Sequence, residues 1–64
     1  MIMIFVNSSS ISAVGYDGYQ LFVLFHTSDT VYAHRGVPYH LYLGLMQADS
    51  MGAFYNRLIR GRYR

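Results

Sequence analysis

Apolar residues in this chain alternate along its first half and then fall at helical spacing, with the change at Val37-Pro38. Ile2 to Val6 is a β-prone run, and Asn7-Ser-Ser-Ser10 is a turn-like break after it, so residues 1–7 are expected to form an N-terminal arm or an extra edge strand. The segments Ile11 to Tyr16 and Gln20 to His26 flank Asp17-Gly18. An Asp-Gly pair between two apolar runs predicts a hairpin closed by a type I′ turn. With those two residues as the loop, Tyr16 faces Tyr19, Val14 faces Leu21 and Ser12 faces Val23. Val14, Tyr16, Leu21, Val23 and Phe25 then share one side. A second turn at Ser28-Asp29 sets Phe25 opposite Tyr32 and Val23 opposite His34, which adds Tyr32 and His34 to that side. The prediction is a three-stranded antiparallel meander.

The opposite side collects Ala13, Gln20, Phe22, Leu24, His26, Val31, Ala33 and Arg35, a set too apolar for a freely solvated sheet. Such a patch marks an interaction surface, and the N-terminal run, a second subunit or a ligand could cover it.

Pro38 suits the first turn of a helix, where its missing N–H costs nothing, and a helix over 38–48 follows. Its polar stripe is only His40, Gly44 and Gln47, while Leu41, Tyr42, Leu45, Met46 and Ala48 lie on one side with Tyr39 and Leu43 beside them. Gly44 costs such a helix about 1 kcal/mol relative to alanine, which implies that another backbone passes close. Asp49 or Ser50 is a suitable N-cap for a last helix in which Met51, Phe54, Tyr55, Leu58 and Ile59 form an inward stripe. Asn56, Arg57 and Arg60 fall on its other side, and Gly61 is placed to end it. The fold class that follows is α+β: a three-stranded meander with two short helices packed on its Val14, Leu21, Val23, Phe25 face, the domain running from 8 to 64.

Composition tightens this picture. A 64-residue chain makes one domain, and at that size only about 60% of the unfolded surface is buried. There is no cysteine to add a disulfide or thiolate metal site, so packing or self-association must supply stability, and a homo-oligomer is expected. An apolar share of 53% against 12% charged argues against disorder. The longest apolar run, Met1 to Val6, falls far short of the roughly 20 residues that span a bilayer. It also lacks the features of a secretory signal, so a cytoplasmic protein without membrane attachment is the expectation.

Charge is uneven. Residues 1–56 carry Asp17, Asp29 and Asp49 against Arg35, whereas the last eight carry Arg57, Arg60, Arg62 and Arg64 and no acid. All five basic residues are arginine, whose planar fork suits phosphate and flat rings. These arginines, with Tyr63 and with Tyr55, Tyr16 and Tyr19 as further stacking groups, form a candidate nucleic-acid surface. Four phosphate contacts on a single strand would give a salt slope of about −3. A solvated basic tail is the structural alternative, and the tyrosines suit a small core equally well.

Enzyme chemistry finds no support in the residue pattern. The three carboxylates fall at two turns and a helix start, where structural aspartates sit. A serine of the Ser8–Ser10 loop or Ser12 with His34 as base lacks a placed third member. His26, His34 and His40 have no helical i, i+4 pair, and strand alternation puts His26 and His34 on opposite faces, so no metal site and no cofactor is expected.

Taken in order, Ser9-Ser10-Ile11, Val14-Gly15-Tyr16-Asp17, Leu21-Phe-Val-Leu-Phe25, Val37-Pro38, Gly44-Leu45-Met46-Gln-Ala48, Ser50-Met-Gly52, Phe54-Tyr55-Asn56 and Ile59-Arg-Gly-Arg-Tyr63 resemble the KTSC domain. That family is named after the C-terminus of certain lysyl-tRNA synthetases and also occurs as free-standing small bacterial or phage proteins. The resemblance spans Ser8 to Tyr63 and implies a β-meander followed by helices, no catalysis, and a suggested role in RNA binding. Two departures stand out. The family's central Tyr-x-Tyr appears here as Tyr32-Ala33-His34, and Phe22 and Leu24 replace residues that are often polar in that strand.

Two functional expectations follow. One is a non-catalytic module binding RNA through Arg57, Arg60, Arg62, Arg64, Tyr63 and Arg35. The other is a protein interaction module, for a second copy or a host factor, using Phe22, Leu24 and Val31 on the outer sheet face and Leu43 on the 38–48 helix.

Overall fold

The alternating half of the chain folds into one antiparallel sheet and the helical half into a pair of helices on one of its faces. The computed structural model describes residues 2–63, so Met1 and Arg64, the latter one of the predicted nucleic-acid contacts, lie outside the described residues. The elements are β1 (Ile4–Phe5), β2 (Ile11–Tyr16), β3 (Gln20–Phe25), β4 (Val31–Arg35), α1 (Tyr39–Gln47) and α2 (Met51–Leu58). The strands lie in the order β1-β2-β3-β4. The predicted three-stranded meander is therefore extended to four strands, because the N-terminal run pairs with β2 through Ile4 opposite Val14 and Phe5 opposite Ala13.

Both hairpin registers differ from the expectation by two residues. Tyr16 pairs with Leu21 and Val14 with Val23, so the first loop is Gly18-Tyr19 rather than Asp17-Gly18. The cause is the Asp17 carboxylate, which accepts from the backbone N–H of Tyr19 at 2.9 Å and of Gln20 at 2.6 Å. Asp17 thus stands before the turn, and Gly18 alone takes the left-handed backbone at φ 98. The second hairpin pairs Leu21 with His34 and Val23 with Tyr32. Its loop runs over residues 26–30 instead of closing at Ser28-Asp29, and Ser28 Oγ accepts from the Thr30 N–H inside it. A two-residue slip preserves strand parity, so the predicted core face survives both corrections.

One face assignment does change. Ile11 pairs with Phe25 while Ala13 pairs with Leu24, leaving Ser12 as the extra residue of a β-bulge. The bulge turns Ile11 onto the core face, where it is fully buried, in place of the predicted Ser12.

Ile11, Val14, Leu21, Val23, Val37, Leu45 and Ile59 are the largest fully buried side chains among the described residues. Burying each contributes about 1.5–3 kcal/mol. Val37, Leu45 and Ile59 come from the helical half, so both helices cover the Val14 face and the other face of the sheet carries no helix. Pro38 is the N-cap of α1 rather than part of its first turn, and its carbonyl accepts from the Leu41 N–H at 3.0 Å. Ser50, not Asp49, caps α2, its Oγ accepting from the Ala53 N–H at 3.3 Å. Within α2, Met51 and Tyr55 are buried, Ile59 follows them inward, and the expected core residue Leu58 is half-buried. Gly44 meets a side chain rather than the predicted backbone: a Cβ there would lie 2.6 Å from Phe54 Cζ. Phe54 therefore occupies the space that any larger residue at 44 would need, and this contact joins the two helices.

Candidate functional site

The basic segment from Arg57 to Tyr63 is folded back onto the domain. After α2, Gly61 adopts φ 77 and reverses the chain, and the N–H groups of Arg62 and Tyr63 donate to the Ile59 carbonyl at 3.1 and 3.2 Å. Tyr63 is brought against the core, half-buried. Its carbonyl lies 3.0 Å from His34 Nδ1, and the Tyr55 hydroxyl lies 2.7 Å from His34 Nε2. Because a carbonyl only accepts, Nδ1 carries the proton; in the neutral ring Nε2 then accepts from the Tyr55 O–H. His34, the departure from Tyr-x-Tyr, thereby latches the chain end to β4 and to α2 at once. Arg62 Nε also donates to the Arg57 carbonyl at 3.2 Å.

Arg57, Arg60 and Arg62 are exposed around this latch, whereas Arg35, exposed beside His34 in β4 and paired with Gln20, alternates onto the other face of the sheet, away from them. Arg60 additionally walls a cleft of about 290 Å³ between α2 and the β3–β4 loop. Phe25, Tyr32 and Tyr55 supply its aromatic surface, and Thr27, Ser28 and Asn56 its polar groups. The Phe25 ring sits between the two tyrosines, 5.8 Å from Tyr32 at 69° and 5.1 Å from Tyr55 at 76°. Burial pushes the Tyr55 phenol above its ordinary pKa, with the Arg60 charge pulling the other way and Tyr32 adding to the rise. Tyr55 is thus a neutral donor held inside the wall. Tyr32, 45% exposed, presents its ring to solvent.

The tyrosines named in the sequence as stacking groups separate in the structure. Tyr16 stacks on Tyr42 at 4.7 Å and 7° and donates to the Val37 carbonyl at 2.6 Å, so its ring is spent internally. Burial, then the neighbouring Asp17 and Tyr39, raise its pKa. Tyr55 is committed to the latch through its hydroxyl, Tyr63 joins it through its backbone carbonyl while its half-buried ring packs against the core, and Tyr19 is exposed at the first hairpin. Tyr32, Phe25 and Asn56 were not singled out by sequence reasoning, because the cleft needs the β3–β4 loop to approach the end of α2. The shared face of Phe25 and Tyr32 was the one available signal.

The serine loop has structural duties. Ser8 Oγ accepts from the N–H groups of Ser10 and Ile11, both at 3.2 Å, and the Ser8 carbonyl accepts from His26 Nε2 at 2.8 Å. Ser10 packs over Gly52, where a Cβ would come within 2.8 Å of its Oγ. The loop, the start of α2 and the sheet edge are thereby joined. Among the described residues no three His, Cys, Asp or Glu side chains converge as metal ligands, and no helix is long and apolar enough to cross a membrane.

On the outer sheet face, the registers align Phe5, Ala13, Leu24 and Val31 in one row across all four strands. Phe5 is 81% and Val31 45% exposed, while Leu24 and neighbouring Phe22 are half-buried. Leu43 is exposed on α1, on the opposite side of the sheet, so the four predicted interface residues do not form one surface.

A four-stranded antiparallel meander with two helices on one face, its C-terminal end latched to the last strand, defines a small α+β domain. The KTSC domain matches residues 7–63 of the chain, and the protein belongs to that family. It is similar to a protein of Tsukamurella paurometabola, 37% identical over 60 residues that cover 92% of this chain and 90% of the relative. It is also similar to the crystal structure of a KTSC domain protein from Yersinia pestis, with a TM-score of 0.91 and 31% identity over 98% of this chain and 90% of that one.

Proposed function

We propose that this domain is a non-catalytic RNA-binding module whose contact surface is the arginine-rich C-terminal end. The observation that carries the reading is the latch. Because His34 holds the Tyr63 carbonyl and Arg62 donates to the Arg57 carbonyl, the backbone that carries Arg57, Arg60 and Arg62 is anchored, which supports a binding surface over a solvated tail. Anchoring lowers the ordering cost of binding, and the guanidinium fork matches phosphate oxygens. A cytoplasmic site of action accompanies this reading. Titration of single-stranded RNA and tRNA at two salt concentrations tests it. Expected is salt-sensitive binding with a slope of about −3 for a single strand, lost on replacing Arg57, Arg60, Arg62 and Arg64 by alanine. Salt-independent binding, or binding unaffected by those replacements, would rule the reading out.

A second reading is favoured by one specific observation, the apolar row Phe5, Ala13, Leu24, Val31 on the sheet face that carries no helix. On this reading the row is a self-association surface, with Phe22 beside it, and a second copy of the chain covers it.

A further inference from the structure

We infer that the cleft between α2 and the β3–β4 loop is a binding site for one unpaired nucleobase and its phosphate, with the base against Tyr32 and the phosphate on Arg60. The inference deepens the RNA-binding reading and rests on it for the source of the base.

Three features select this ligand. The first is size: about 290 Å³ lies at the small end of ligand sites, which run from about 300 to 1,000 Å³, and suits one nucleotide rather than a helix or a folded partner. The second is the wall. Tyr32 is 45% exposed and meets Phe25 in an edge-type contact at 5.8 Å and 69°, so Phe25 supports the ring while part of its surface stays open to a planar ligand. Aromatic faces accept any base, since every base has a π surface. The third is the polar complement. Asn56 offers a donor and an acceptor side by side, the pairing that a base edge presents, and the Ser28 hydroxyl can serve as either. The residues lining the cleft include the Arg60 guanidinium and no carboxylate, which favours an anion at its mouth. A phosphorylated aromatic side chain would satisfy the ring and the charge but would leave the Asn56 amide without its paired edge.

The deciding experiment records amide spectra of the intact protein with four small probes and two oligomers. The small probes are adenosine monophosphate, uridine monophosphate, ribose 5-phosphate and phenyl phosphate; the oligomers are hexa-adenylate and a ribose-phosphate hexamer lacking all bases. Both nucleotides should shift the amides of Ser28, Asn56 and Arg60, while ribose 5-phosphate should not. Hexa-adenylate should bind about tenfold or more tightly than the base-free hexamer, the range expected of base stacking on an aromatic ring. Tyr32→Leu, which keeps an apolar contact on Phe25, should remove that advantage and leave binding of the base-free hexamer unchanged.

Equal binding of the two hexamers with unmoved cleft amides would overturn this inference while the arginine surface stood. Cleft shifts with the nucleotides, without tighter or salt-sensitive hexamer binding, would keep the inference with a free nucleotide as ligand and overturn the RNA reading. Phenyl phosphate binding as well as the nucleotides would overturn it in favour of a phosphorylated aromatic. Silence from every probe would overturn both readings.

Discussion

Gly44 sets how closely the two helices approach. Replacing it by alanine gains about 1 kcal/mol of helix propensity, but the new Cβ falls 2.6 Å from Phe54 Cζ. Overpacking costs about 1–3 kcal/mol, so Gly44→Ala should lower the melting temperature. In a Phe54→Leu background the ring is gone, and the same substitution should then be neutral or stabilising. A thermal double-mutant cycle reads that change of sign, and additive effects would show that the ring contact is not the limiting one. Asp17 supports a prediction of pH dependence. The N–H groups of Gln20, then Tyr19, hold its pKa below the ordinary carboxylate value. A depressed folded-state pKa means that the carboxylate's contribution is complete above its unfolded pKa, near about 3.9, and is lost as pH falls through the folded value. Asp17→Ala should therefore narrow the stability gap to wild type on acidification below about pH 4, seen as converging melting temperatures. At the alkaline end the sign reverses. The raised values of Tyr16 and Tyr55 stabilise the fold below the ordinary tyrosine pKa of about 10, and this is lost as pH rises through their folded values.

At the level of elements, the C-terminal segment depends on one side chain of the sheet. Removing the imidazole by His34→Phe leaves the Tyr55 hydroxyl and the Tyr63 carbonyl without their partner, and an unsatisfied buried group costs about 1–3 kcal/mol. The expected outcome is faster amide exchange at Arg62 and Tyr63, with exchange in β2 and β3 changed less. Uniform acceleration throughout would mean that the latch and the core unfold together. The same residue shows what could be read from sequence. Periodicity placed His34 on the core face, and the strands and helices follow from it nearly to their ends. Its partner Tyr63 lies 29 positions away in sequence, beyond the reach of any local pattern. The hairpin registers differ for a related reason: alternation fixes which face a residue occupies but not how many residues a loop absorbs, and in the first hairpin the Asp17 carboxylate decides that. Ser12 shows the limit of alternation itself, since a bulge breaks the period in the strand that carries it. The arginine cluster was visible as charge, whereas the cleft beside Arg60 requires the β3–β4 loop and α2 to meet.

For the whole molecule, the two proposed activities fall on opposite sides of the sheet, and that makes them separable. Arg57, Arg60 and Arg62 belong to the helical side, while the Phe5, Leu24, Val31 row belongs to the uncovered side. A chain of 64 residues has little stability to spare, because so small a domain buries only about 60% of its unfolded surface. Covering an apolar row with a second copy would add burial that the monomer lacks. Association makes apparent stability depend on concentration, so the melting temperature of the wild-type chain should rise as protein concentration increases. Sedimentation over the same range should show a dimer. Leu24→Glu places a charge at the centre of the row, where two copies would bring like charges together in a desolvated interface. That variant should sediment as a monomer, lose the concentration dependence, and keep the wild-type RNA affinity. Alanine at the arginines should do the converse, abolishing RNA binding without changing sedimentation. If Leu24→Glu weakened RNA binding as much as it weakened association, the arginine surface would have to be one that two copies complete together, and the two readings would become one.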